Sequence, residues 1–169
     1  AWVTVFVVRL SRSGKVAQEL LGERFWGWLV TDRWRAYRWY PTWRRQLCWA
    51  HLLRDIDAMI ERGGPSQAIG EALREQACQM FHWWHRVHDG TLAHTTFARY
   101  MWPVRRAVER LLEAGQICGV PKTEGVCREI LRLRQALWTF VRHPEVEPTN
   151  NTAERAIRPG VLWRKGSFG

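Results

Sequence analysis

Two carboxylates in this sequence stand where chemistry could be done. Asp32 closes the apolar run "WLVTD". A strand ending there projects its next side chain from the carboxyl edge of a sheet, where open α/β folds carry functional groups. A carboxylate so placed can hold Mg²⁺, a hard cation that takes oxygen ligands. The same residue would also serve as N-cap of a helix beginning near Arg33. Glu154 lies in "EPTNNTAERAIRP", Glu147 to Pro159. Asn151 and Glu154 have capping-box spacing, with Asn151 as the cap and Glu154 reaching back to its amide. Capping and metal ligation are compatible, because a glutamate in a first helical turn can hold its head near a sheet edge. Arg155 and Arg158 would then face a phosphate. Pro159 should end the regular turn and leave the helix short or kinked.

Other groups carry weaker signals. Cys48 and His51 form a single Cys-x-x-His pair. Structural zinc takes four ligands, so the pair alone reads as a buried thiol beside a histidine bonded to its neighbours. His82, His85 and His88 recur at steps of three and read as a solvated or helix-packing face. Arg99, Arg105, Arg106, Arg110, Arg128, Arg132, Arg134 and Arg142 crowd one stretch of the chain. The acids there are too few to neutralise them, which favours a phosphate-contacting surface over a merely solvated one.

The elements that must position these residues follow from apolar spacing. Residues 1–10 are β-branched and aromatic and read as a buried strand. "KVAQELLG" reads as a short helix stopping at Gly22, and "FWGWLVTD" as a second strand. A helical turn, "RWRAYRWY", follows. A third strand is expected over Gln46 to Trp49, passing into a helix that runs toward Met59. From Gln67 to Arg142 the pattern is helical only. Ile69, Leu73, Met80, Trp84 and Val87 form one apolar stripe, and Val126, Ile130, Leu133, Leu137 and Val141 another. Between them "FARYMWPVRRAVERLLEAG" reads as a helix broken or kinked at Pro103. The division expected is an α/β part over 1–64, a helical part over 65–145 and a return to the first part over 146–169.

Composition narrows the partners. The chain has 169 residues, a net charge of +10 and a pI of about 10.5. Such a field attracts polyanions, nucleic acid first among them. No apolar run approaches the roughly 18 residues of a membrane span, so no membrane partner is expected. The four cysteines have no disulfide-framework spacing, which points to reduced thiols and a cytoplasmic protein. Some of the 12 tryptophans belong to the core, and others have faces suited to stacking on bases.

"VTDRWRAY", "RQLCWAHLLRD" and "EPTNNTAERAIRPGVLWRKGSFG", in this order and spacing, resemble the transposases of the insertion-sequence-66 family. The resemblance implies a DDE-type DNA transposase with a ribonuclease-H-like core, here partial and interrupted by an all-α insertion domain. It implies three carboxylates holding two Mg²⁺ or Mn²⁺ ions, with Asp32 as the second and Glu154 as the third. Cys48 and His51 match the Cys-x-x-His motif that follows the second aspartate in several such families. Asn150 or Asn151 would bond a metal-bound water or a phosphate. DNA contacts are expected from Arg54, Arg105, Arg106, Arg132, Arg155 and Arg158. The implied partners are transposon terminal repeats, target DNA and further copies of the protein on paired ends, in a bacterial, nucleoid-associated setting.

The family's first aspartate has no match before Asp32, since Glu19 and Glu23 do not fit the role. The two-metal site would therefore be completed by an aspartate absent from this chain. The isolated chain is expected to be a fragment without catalytic activity, serving cleavage and strand transfer only within a longer protein. The alternatives are a non-catalytic DNA-binding remnant and an interaction domain whose charge only solubilises it.

Overall fold

Large apolar residues at steps of three and four build most of this molecule. The computed structural model describes residues 5, 9–11, 13–22 and 24–168, with side chains as far as Pro159 and at Leu162. Most of the strand expected over 1–10 lies outside these residues. A helix α1, Gly14–Leu21, ends at Gly22, whose φ of 81° is the left-handed stop a glycine supplies. Strand β1, Leu29–Thr31, pairs in parallel with β2, Arg45–Leu47. Both are shorter than expected. Trp26 and Trp28 are held instead by Arg44, whose guanidinium lies 4.3 and 5.3 Å from their ring centres. Single 3-10 turns, Arg35–Tyr37 and Thr42–Arg44, connect the strands.

Helix α2, Trp49–Glu61, buries Trp49, Leu52, Ile56 and Met59 on one face. Gly63 and Gly64, both at positive φ, turn the chain into α3, Gly64–His88. Its buried face is Ser66, Gly70, Leu73, Ala77 and Met80, small enough in part for α2 to approach closely. Of the expected stripe, Leu73 and Met80 are buried, while Ile69, Trp84 and Val87 flank the core.

Helix α4, His94–Gly115, runs through Pro103 without a break, so of the expected break or kink the break does not occur. Pro103 lies on the exposed side, where the carbonyl it leaves without a donor can bond water. Helix α5 is Pro121–Arg132. The second stripe does not form one helix. After α5 come a 3-10 turn, Arg134–Leu137, and a short α6, Thr139–Arg142. The cause is tertiary. The Leu137 carbonyl accepts from Gln46 Nε2 and Trp49 Nε1, the Phe140 N–H donates to Gln46 Oε1, and the Thr139 hydroxyl donates to the Arg45 carbonyl. This segment therefore bonds along β2, and those bonds replace the helical ladder.

The last helix, α7, Asn151–Phe168, continues through Pro159 rather than stopping there. Its first intrahelical bond runs from the Glu154 N–H to the Asn150 carbonyl, so the cap is Asn150 and not Asn151. The expected α/β architecture holds only coarsely. Helices dominate, and the sheet among the described residues has two parallel strands. One buried apolar core runs from Leu47 through Trp138 and Phe140 to Val146. No helix among the described residues is long and apolar enough to cross a membrane.

Candidate active site

Parallel register decides which side chains meet. Thr31 pairs with Leu47, and the next amide, Cys48 N–H, donates to the Thr31 carbonyl at 2.8 Å. Asp32 and Cys48 therefore leave the sheet side by side at its carboxyl end, the edge where such sheets place their sites. A third segment arrives from far along the chain. The Trp49 N–H donates to the Pro148 carbonyl at 2.9 Å, and the Asn150 N–H points at Cys48 Sγ at 3.4 Å. These contacts seat the first turn of α7 against the start of α2.

That seating brings Glu154 to His51 and Arg54, one turn into α2. Glu154 Oε1 is 3.4 Å from His51 Nε2, and Oε2 is 3.8 Å from the Arg54 guanidinium. The thiol of Cys48, the imidazole of His51 and the carboxylate of Glu154 offer ligand atoms within 4.8 Å of one another. Sequence spacing gave the Cys48–His51 pair no further partner, and folding supplies one.

Asp32 and Glu154 line one open cavity of about 700 Å³, together with His51, Arg54, Asn150, Asn151, Arg155 and Arg158. An adjoining cavity of about 630 Å³ shares Asp32, His51 and Arg54 and extends to Arg33, Asp55 and Glu129. Asp32 also has a local task, because its Oδ1 accepts the Trp34 N–H at 2.9 Å and so fixes the turn after β1. Beneath it lies Arg45, only 1% exposed. Burial pulls the Arg45 guanidinium below its ordinary range, and the nearby Asp32 carboxylate and Tyr37 oppose that fall.

The remaining expected residues lie elsewhere. Arg105 on α4 is paired with Glu109 at 2.9 Å, and Arg106 stacks over the Trp102 ring at 4.9 Å. Arg132 is exposed on α5. None of the three lines the two cavities. His82, His85 and His88 pack against Trp83, Phe81 and Trp84 and form no ligand cluster among the described residues. The sequence reading passed over Arg33, Asp55 and Glu129. The spacing from His51 to Asp55, one helical turn, was the signal that could have marked Asp55 as a cleft residue.

An Mg²⁺ or Mn²⁺ ion needs oxygen donors. The cavity offers the carboxylates of Asp32 and Glu154. It also offers Asn150 Oδ1, which is buried without a hydrogen-bond partner among the described residues. This donor set fits such an ion. No third carboxylate lines the same cavity among the described residues.

The family model described as "Transposase IS66 family" matches residues 1–169. The chain is also similar to "Uncharacterized protein y4qI" of Sinorhizobium fredii (strain NBRC 101917 / NGR234), at 29% identity over 129 residues. The match covers 72% of this chain and 23% of that relative, so the chain spans about a quarter of its length. No solved structure matches the chain.

Proposed function

We propose, from the premise that this chain belongs to the IS66 transposase family, that it carries two of the three carboxylates of a DDE-type DNA transposase. The observation behind this reading is the convergence of Asp32 and Glu154 on one cavity with Arg54, Arg155 and Arg158. In this reading β1 and β2 belong to a ribonuclease-H-like core, and residues 65–145 form its helical insertion. A further aspartate from outside the chain would complete the site.

Each residue then has a task. Asp32 and Glu154 would hold the divalent cations at the cavity they both line. His51 and Arg54 fix the rotamer of Glu154 through the contacts at 3.4 and 3.8 Å. Arg54, Arg155 and Arg158 draw the phosphodiester backbone into the cavity and hold it there. Asn150 presents its amide to a phosphate or to water at the site. Bound Mg²⁺ or Mn²⁺ would supply Lewis acidity for cleavage by water and for joining by a DNA 3′-hydroxyl. With only two carboxylates lining the cavity among the described residues, the isolated chain would bind DNA and not cut it.

The test uses the whole protein on DNA carrying the transposon ends. Asp32→Asn and Glu154→Gln should each lower Mg²⁺-dependent strand transfer by on the order of 10²–10³-fold or more, with DNA affinity in the absence of metal unchanged. Full transfer by either variant overturns the reading. DNA binding with no metal-dependent transfer by the unaltered protein favours the second reading, a DNA-binding remnant, for which the +10 charge is the supporting observation.

A further inference from the structure

We infer that Arg33, held by Asp55 on α2 and Glu129 on α5, is a positioning residue for Asp32. Through it the helical segment that contains α5 sets cation affinity in the cleft. The inference rests on the reading of Asp32 as a cation ligand and assigns what regulates that site.

Asp32 stands where strand pairing stops. The Cys48 N–H bonds the Thr31 carbonyl, and β1 ends at Thr31. Beyond it two local bonds shape the turn. The Thr31 hydroxyl donates to the Asp32 carbonyl at 2.8 Å, and the Trp34 N–H donates to Asp32 Oδ1 at 2.9 Å. Both join residues no more than two apart. They orient the carboxylate within its own turn, but they do not fix that turn against the helices around the cleft. Oδ1 is engaged inside the turn, so the place of Oδ2 follows the place of the turn.

Arg33 supplies the tie at long range. Its Nε and Nη2 donate to Asp55 Oδ2, and its Nη1 donates to Glu129 Oε2. These partners lie 22 and 96 residues away along the chain. The planar guanidinium gives each bond a fixed direction, so the backbone beside Asp32 is held to α2 and α5 at once. Asp32, Arg33, Asp55 and Glu129 line one cavity of about 630 Å³, which makes the clamp a wall of the cleft itself. Glu129 is also approached by Arg38, more loosely, at 3.4 Å.

The charge of Arg33 separates this role from simpler ones. A cation in the wall of a cation-binding cavity opposes binding by Coulomb repulsion. As a positioning residue the same side chain favours binding. Its removal therefore has opposite signs in the two accounts, and a purely stabilising clamp predicts no change in affinity once the protein is folded.

The test titrates the whole protein, on DNA carrying the transposon ends, with Mn²⁺, and reads free Mn²⁺ by electron paramagnetic resonance. Arg33→Met should weaken Mn²⁺ binding about 10-fold, the lower end for partners outside the ligand shell. Glu129→Gln should also weaken it, and should add less than about twofold in the Arg33→Met background, as expected of coupled residues. Circular dichroism checks each fold. If Arg33→Met does not fold, Arg33→Lys decides by the same criterion, because it keeps the charge and loses the fork. Tighter or unchanged Mn²⁺ binding in the deciding variant overturns the inference, and so does a Glu129→Gln effect that is fully additive. Asp32→Asn separates the two readings. Mn²⁺ binding that ignores Asp32→Asn sinks the transposase reading and this inference with it. Binding that depends on Asp32 but not on Arg33 sinks this inference alone.

Discussion

Arg33 is clamped on Asp55, with Nη2 and Nε 2.7 and 3.1 Å from the same carboxylate oxygen. Its Nη1 reaches Glu129 at 2.9 Å. One side chain thus ties the turn after β1 to α2 and α5, and it does so from the residue next to Asp32. The Arg33 side chain is only 17% exposed, so water screens these pairs weakly. Arg33→Met should cost about 1.5–3 kcal/mol, the range for hydrogen bonds to charged groups. Urea unfolding checks this, and a loss below about 0.5 kcal/mol, typical of an exposed surface change, would show that the clamp contributes little.

Gly70 and Gly125 should respond to alanine with opposite signs. A Cβ on Gly70 would meet Ile60 Cγ1 at 2.7 Å, the Ile60 amide nitrogen at 3.0 Å and the Ile56 carbonyl at 3.1 Å. Two of these atoms are backbone and cannot turn aside, so α2 and α3 must move apart. Gly70→Ala is expected to destabilise by about 1–3 kcal/mol. Gly125 lies within α5 with nothing inside 4 Å of its added carbon. Gly125→Ala should stabilise by roughly 0.5–1 kcal/mol through helix propensity. Paired thermal melts compare the two, and equal signs would contradict the packing argument.

Alkaline pH should weaken the fold through Cys127. Burial pushes its thiol from 9.0 up to about 11, with Cys118 adding to the rise and Arg33 and Arg62 opposing it. The folded state therefore keeps a proton that the unfolded chain gives up first. The contribution is complete below pH 9.0 and shrinks as pH rises toward about 11. In denaturant titrations across that window, the stability gap between the unaltered chain and Cys127→Ala should narrow with pH. A constant gap would remove the thiol from the alkaline response.

DNA binding should depend steeply on salt. Each phosphate contact contributes about 0.9 to the slope of log affinity against log salt on duplex DNA. Arg54→Ala, Arg155→Ala and Arg158→Ala should each lower that slope by about one. Arg105→Ala should change it less, because Glu109 already occupies that guanidinium. Fluorescence anisotropy at several salt concentrations checks this, and equal slopes for all four variants would detach the cavity arginines from the DNA surface.

The helical stretches were legible because their signals are local. Steps of three and four place Trp49, Leu52, Ile56 and Met59 on one face whatever the rest of the chain does. Gly22 and Gly63 could be read as punctuation for the same reason. The family, too, was legible in the motifs around Asp32, Cys48 and Glu154. The reading failed where a distant segment competes for backbone bonds. The stripe from Val126 to Val141 has helical spacing throughout, yet Leu137, Thr139 and Phe140 spend their polar groups on β2. Pro103 was read as a break or kink and Pro159 as the end of a short or kinked helix, and both helices continue past them. For Pro103 the reason is an exposed position, which no local pattern encodes.

The sequence alone determined the residue types available for chemistry, the basic charge and the periodicity of α2, α3 and α4. These are properties of the chain at short range. Only the tertiary structure decided that Cys48, His51 and Glu154 share one spot. That meeting depends on the parallel register of Thr31 with Leu47 and on the Trp49 amide reaching Pro148. Spacing along a chain fixes neighbours within a turn or a strand. Neighbours brought together across a long loop are chosen by which buried amides and apolar faces can be satisfied at once.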